Sequence, residues 1–157
     1  MRSLDALDAR LLRALAGAPR ATVQALAAAT GAARNTVHAR LARFEDEGVL
    51  RSFERRIDPA ALGYSLTAFI SITVAQQRLD EVGEALSGIP EVLEVFGISG
   101  GADLLTQVAA RDADDLYRVA GQILATPGVE RTETSLAMRH LVPFRLAPLL
   151  ERLADRA

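Results

Sequence analysis

The hydrophobic rhythm of this sequence changes near Gly63, and that change limits what the two halves can fold into. Before it, apolar residues return every three or four positions, the spacing of one helical face. Leu7, Leu11, Leu12 and Leu15 predict a helix over 5–16, which Gly17 and Pro19 end. Val23, Leu26 and Ala27 predict a second over 22–29, with the Thr22 hydroxyl capping its first turn. Gly31 supplies a turn, and Val37, Leu41 and Phe44 predict a third helix over 33–47, with Gly48 placed for a left-handed C-terminal cap. Residues 49–57 then alternate in part like an exposed strand until Asp58-Pro59 break the pattern. Three short helices followed by a strand predict a winged helix-turn-helix domain over 1–60.

After Gly63 the period falls to two. Leu66, Ala68, Ile70, Ile72 and Val74 alternate with Thr67, Phe69, Ser71 and Thr73, as in a strand buried on one face. An amphipathic helix over 79–87 follows, then strands over 92–98 and 103–109 joined by Ser99-Gly100-Gly101-Ala102, a helix over 112–125 and a strand over 129–138. Ile89-Pro90-Glu91-Val92 and Thr126-Pro127-Gly128-Val129 echo each other 37 residues apart, each joining a helix to a strand. The order β-α-β-β-α-β predicts a ferredoxin-like second domain over 61–157: a four-stranded antiparallel sheet with both helices on one face. The fold class is α+β. The other face of that sheet carries Phe69, Val95 or Phe96, and Leu104 or Leu105 depending on register, and a second copy of the chain is expected to cover it. The tail from Pro143 reads as a further helix after Pro148, with no function assigned.

Charge follows the same division. Residues 1–60 carry ten Arg against seven acidic side chains and the remainder eight against thirteen, so a front of +3 is joined to a partner of −5. That asymmetry fits a DNA-facing domain attached to an acidic one, although the whole chain, at −2, does not coat nucleic acid by charge alone. Half the residues are apolar, enough for a core, and the absence of cysteine rules out disulfides and thiolate metal sites. No apolar run reaches the roughly 18–20 residues of a membrane span, and the start Met1-Arg2-Ser3-Leu4-Asp5 lacks the apolar segment of a signal peptide. A cytoplasmic protein is expected.

The third helix is where DNA contacts are expected. With Val37 pointing inward, steps of about 100° place Asn35, Ala39 and Ala42 opposite the core, flanked by Arg34 and His38 on one side and Thr36 and Arg43 on the other. Small alanines permit close approach to a groove floor. Arg34 has the donor geometry for guanine and Asn35 for adenine, while Thr36, His38, Arg43, Arg51 and Arg55 suit phosphates or bases. Arg40 lies nearer the apolar stripe and is expected to pair internally, with Glu45 or another carboxylate. His38 and His140 fall in different segments and make no metal site by spacing. No G-x-S-x-G, Walker loop or zinc-ligand spacing supports an enzyme, and no cofactor is expected.

From Leu4 to about Pro143 the chain resembles the Lrp/AsnC family, the leucine-responsive and feast/famine regulators. The resemblance is carried by Leu4-Asp5, Asp8 and Leu11-Leu12, then by Gly31, Val37, Arg40, Leu41 and Phe44, and by Glu47-Gly48-Val49-Leu50. In the second half it rests on Ser99-Gly100 through Asp103-Leu104-Leu105, on Tyr117 and on Pro127-Gly128-Val129. It implies a DNA-binding transcriptional regulator whose homodimers assemble into tetramers or octamers. It further implies an amino acid or related metabolite bound between dimers near the glycine turn, at Gly100, Gly101 and Asp103. Two positions depart from the pattern: Ala33 stands where the family usually has a capping serine, and Gly101-Ala102 where many relatives carry an acidic residue and an aromatic. The alternative on the same scaffold is an enzyme similar to siroheme decarboxylases, which act on an iron tetrapyrrole.

Overall fold

Asp5 and Asp8 start the first helix by capping each other. In the computed structural model, which describes residues 4–155, each carboxylate accepts a hydrogen bond from the other's backbone amide, at 2.9 and 3.0 Å. Met1, Arg2 and Ser3, part of the start expected to lack a signal peptide, lie outside the described residues. Helix α1 is Ala6–Gly17, α2 is Val23–Thr30 and α3 is Arg34–Asp46. Thr22 caps α2 by accepting from the Ala25 amide, and Gly48 takes the left-handed conformation expected after α3. Ala33 precedes α3 in extended backbone with no side-chain cap, as its methyl group dictates. Leu11, Leu26, Val37 and Phe44 close over one another as the core of the three helices, with Leu7, Leu15, Val23 and Leu41 half-buried around them. Each fully buried side chain of this size contributes about 1.5–3 kcal/mol.

The strand expected over 49–57 is absent. Val49 and Leu50 close the end of α3 through the Phe44 carbonyl, and Phe53–Arg56 forms a 3-10 turn with the Arg55 amide on the Ser52 carbonyl. Residues 51–57 are all exposed, and a lone strand with no neighbour leaves its amides unpaired, so the tighter turn is preferred.

The second half follows its period closely. Strand β1 (Leu66–Val74) buries Ala68, Ile70, Ile72 and Val74. Helix α4 (Leu79–Ser87), strands β2 (Val92–Gly97) and β3 (Leu104–Ala110), helix α5 (Ala113–Leu124) and strand β4 (Val129–Leu136) complete the β-α-β-β-α-β order. The sheet runs β2-β3-β1-β4, with every neighbouring pair antiparallel. Val82 and Leu86 of α4 and Val119 and Ile123 of α5 join the inner face of the sheet in one core. Asp115, on α5, accepts hydrogen bonds from Arg111 and Arg118, which hold its carboxyl well below the usual carboxylate range. Register also settles the outer face: Phe96 lies opposite Leu105, Leu105 opposite Ser71, and Ser71 opposite Glu133. On this face Phe69 and Phe96 remain 37% and 43% exposed.

The chain forms two compact units, one running to Arg55 and resuming at Val142, the other Arg56–Leu141. The boundary expected after residue 60 lies five residues late, and the tail expected with the sheet belongs instead to the helical unit. Helix α6 (Ala147–Ala154) packs on α1, with Leu150 and Leu153 half-buried. It begins just before Pro148, not after it; proline fits the first turn, where its missing N–H has no partner to lose. Among the described residues no helix is long and apolar enough to cross a membrane.

Candidate nucleic-acid interface and ligand pocket

What fixes α3 to its unit is charge as well as apolar packing. The Asp8 side chain is fully buried, and its two oxygens accept from Arg40 Nη1 and Arg43 Nη2, each at 2.6 Å. Arg40 Nη1 also reaches Asp5 at 2.6 Å. The Asp8 amide, and then Arg40, hold the Asp5 carboxyl below its ordinary range. Four side chains thus bolt the start of α1 to the middle of α3. Arg40 is structural as expected, although its partners are Asp5 and Asp8 rather than Glu45. Arg43, expected at the DNA, is instead half-buried with its guanidinium engaged by Asp8.

The opposite side of α3 is open. Val37 and Phe44 are buried, while Arg34, Asn35, Thr36, His38 and Ala39 are all exposed, as the angular steps predict. Among the described residues, none of Arg34, Asn35, Thr36 and His38 commits its side chain to a hydrogen bond or ion pair within the protein. A helix anchored by one face, with donors and small residues on the other, has the form that enters a major groove. Arg51 and Arg55 follow α3 and are exposed in the same unit. His38 joins no group of metal-ligating side chains; among the described residues no cluster of three or more His, Asp or Glu is placed to hold a metal.

The expected effector residues gather at one end of the sheet, in different roles. Gly100 has φ +130°, a conformation that a side chain would strain, so glycine shapes the loop between β2 and β3. Gly101 faces open space and, with Ala102, lines a shallow cavity of about 300 Å³ with Ser71, Thr73, Ile98, Arg131 and Glu133. Asp103 does not line it. One Asp103 carboxylate oxygen accepts from the Val74 amide at 2.9 Å, where the pairing of β1 with β4 shifts register, and its backbone bonds Ile72 and Ile98. Asp103 therefore pins the irregular end of β1 beside the cavity. Arg131, Glu133, Ser71 and Thr73 were not legible as site residues from the sequence. Alternation shows that Arg131 and Glu133 share a face, but only the β1–β4 register brings them beside Thr73 and Ser71.

Comparison with known proteins agrees with both halves. Residues 4–51 match the winged helix-turn-helix DNA-binding family and residues 67–146 the Lrp/AsnC ligand binding domain. The HTH-type transcriptional regulator AldR of Mycolicibacterium smegmatis is 38% identical over 144 residues, 89% of this chain and 84% of that protein. The structure of E. coli AsnC superposes with a TM-score of 0.84 at 25% identity, covering 94% of this chain and all of that one. The feast or famine regulatory protein of M. tuberculosis complexed with L-methionine superposes with a TM-score of 0.81 at 30% identity, over 91% of this chain and 97% of that one. A helix-turn-helix with a bare outer face, joined to a sheet unit with a lined cavity and matched in this order by regulators along most of its length, makes the chain a member of the Lrp/AsnC family of transcriptional regulators.

Proposed function

We propose that this regulator reads specific DNA sites through the outer face of α3 and that a free amino acid, bound beside the β2–β3 loop, alters that binding. The observation that carries the DNA half is the division of α3 into a bolted face and an open one. Asp8 holds Arg40 and Arg43 inside, while Arg34 and Asn35 lie outside with Thr36, His38 and Ala39. Arg34 and Asn35 are the base readers, and Thr36, His38, Arg51 and Arg55 the positioning contacts to phosphate. The exposed Phe69 and Phe96 support a homodimer formed through the outer sheet face, which assembles further into tetramers or octamers and presents two α3 helices to a two-fold site. The L-methionine complex of a relative supports an amino acid as effector, with Gly100 and Gly101 forming the loop around it and Asp103 holding the adjacent strand. The protein acts in the cytoplasm and catalyses no reaction. A decarboxylase on this scaffold has no observation in its favour.

Selection of bound fragments from genomic DNA, with and without the twenty L-amino acids, tests target and effector together. On the selected site, Arg34→Ala and Asn35→Ala each weaken binding by about 1–3 kcal/mol, with oligomeric state and thermal stability unchanged. Wild-type affinity in both variants would remove α3 from the reading role.

A further inference from the structure

Arg43 divides its guanidinium between the protein and the solvent. Its Nη2 donates to the buried Asp8 at 2.6 Å, and its central carbon lies 5.6 Å from the centre of the neighbouring Phe44 ring. Nε is buried without a partner. The remaining nitrogen, Nη1, is neither bonded nor among the buried atoms, so it is the edge of the group that reaches the surface. A guanidinium is a rigid plane with five N–H donors, and fixing one edge aims the other. Arg40 donates to the same carboxylate, so the charge of Asp8 is shared between two cations and does not cancel that of Arg43. Asp5, the fourth member of the cluster, meets Arg40 alone of the two arginines.

The place of Arg43 on α3 gives that open edge a direction. A major groove is about 12 Å wide and a helix with its side chains about 10–12 Å across, so a helix lying in the groove sets its two flanks against the two phosphate walls. With Asn35, Ala39 and Ala42 toward the floor, Arg34 and His38 occupy one flank. Thr36 and Arg43 occupy the other; they stand seven residues apart, hence on one line and about 10 Å apart along the axis. Arg40 lies about 60° nearer the buried side. The first flank has its cation in Arg34, and the second has one only if Arg43 serves DNA as well as Asp8. Resting on the DNA reading of α3 above, we propose that Arg43 contacts a backbone phosphate through Nη1 and that Asp8 is the residue that positions it. One carboxylate thereby fixes both the seat of the helix and a contact that sets its register on the duplex.

Fluorescence anisotropy of the full chain on the selected operator, in salt from about 50 to 200 mM, tests this, because the slope of log affinity against log salt counts the phosphates neutralised. A purely structural role for Arg43 lowers affinity by the same factor at every salt concentration and leaves the slope alone. Arg43→Gln is expected to make the slope shallower by about 0.9 per half-site and to weaken operator and unrelated DNA equally. Arg43→Lys keeps a cation for Asp8 but has no second edge, so it shows the same shallower slope with a denaturant midpoint close to that of the wild type. Where Arg43→Gln folds poorly, the lysine variant carries the test. Neutral methylphosphonates placed one at a time in the operator then locate the contact: one position per half-site costs the wild type about 10-fold or more and costs Arg43→Lys nothing. A wild-type slope in either variant, or a scan whose profile is the same for the wild type and Arg43→Lys, overturns the assignment and leaves Arg34 and Asn35 as readers. If the wild type retains no operator at all, the reading of α3 fails and this assignment with it.

Discussion

At the scale of single residues, two aspartates carry more of the architecture than their places in the sequence suggest. Asp103 secures the Val74 amide at the break in the β1–β4 ladder. Its replacement by alanine leaves that donor without its protein partner, at a cost of about 1–2 kcal/mol, since the site is only partly buried. Asp103→Ala is therefore expected to weaken amino-acid binding and lower the denaturant midpoint modestly while leaving affinity for unliganded DNA unchanged. Calorimetry, urea unfolding and a gel-shift titration check the three parts. Asp8 was visible in the sequence as one member of a family resemblance, but its role was not. Its guanidinium partners lie 32 and 35 residues away, beyond the reach of any local pattern. The period-two run over 66–74, by contrast, is legible because each buried position is apolar and its neighbours lie one residue away.

At the scale of elements, helices and strands were legible where apolar periodicity and capping agree, as at Thr22 and Gly48. They were misread where amphipathic alternation had no partner to pair with. Residues 49–57 alternate, but alternation makes a strand only beside another strand; here the chain makes a 3-10 turn instead. The α1–α3 bolt is the element-scale feature with the clearest consequence. Asp8→Asn keeps the shape of the side chain and removes the charge between two arginines. It is expected to cost on the order of 2 kcal/mol, below the 3–5 kcal/mol of a fully buried pair because Arg40 and Arg43 retain some water. Operator affinity falls with it, because α3 is no longer held at one angle, while amino-acid binding to the sheet unit is unaffected. Chemical denaturation and DNA titration of the same preparation measure both; loss of amino-acid binding would mean that the effect is not confined to the helical unit.

At the scale of the whole molecule, the helical unit is built from both ends of the described chain, with the sheet unit inserted between them. Removing the residues from Val142 onward strips α6 from α1 and uncovers the half-buried contacts of Leu150 and Leu153. The expected loss is roughly 2 kcal/mol from the helical unit. Hydrogen exchange then accelerates at the amides of α1 and not at those of β1; equal acceleration at both would show that the two units unfold as one. The same topology sets an order of events at the ribosome. The sheet unit has all its strands before α6 leaves the exit tunnel, whereas the DNA-reading unit lacks one of its walls until residues 147–154 have emerged. A nascent chain can thus finish its ligand-binding part well before its grip on the genome is complete.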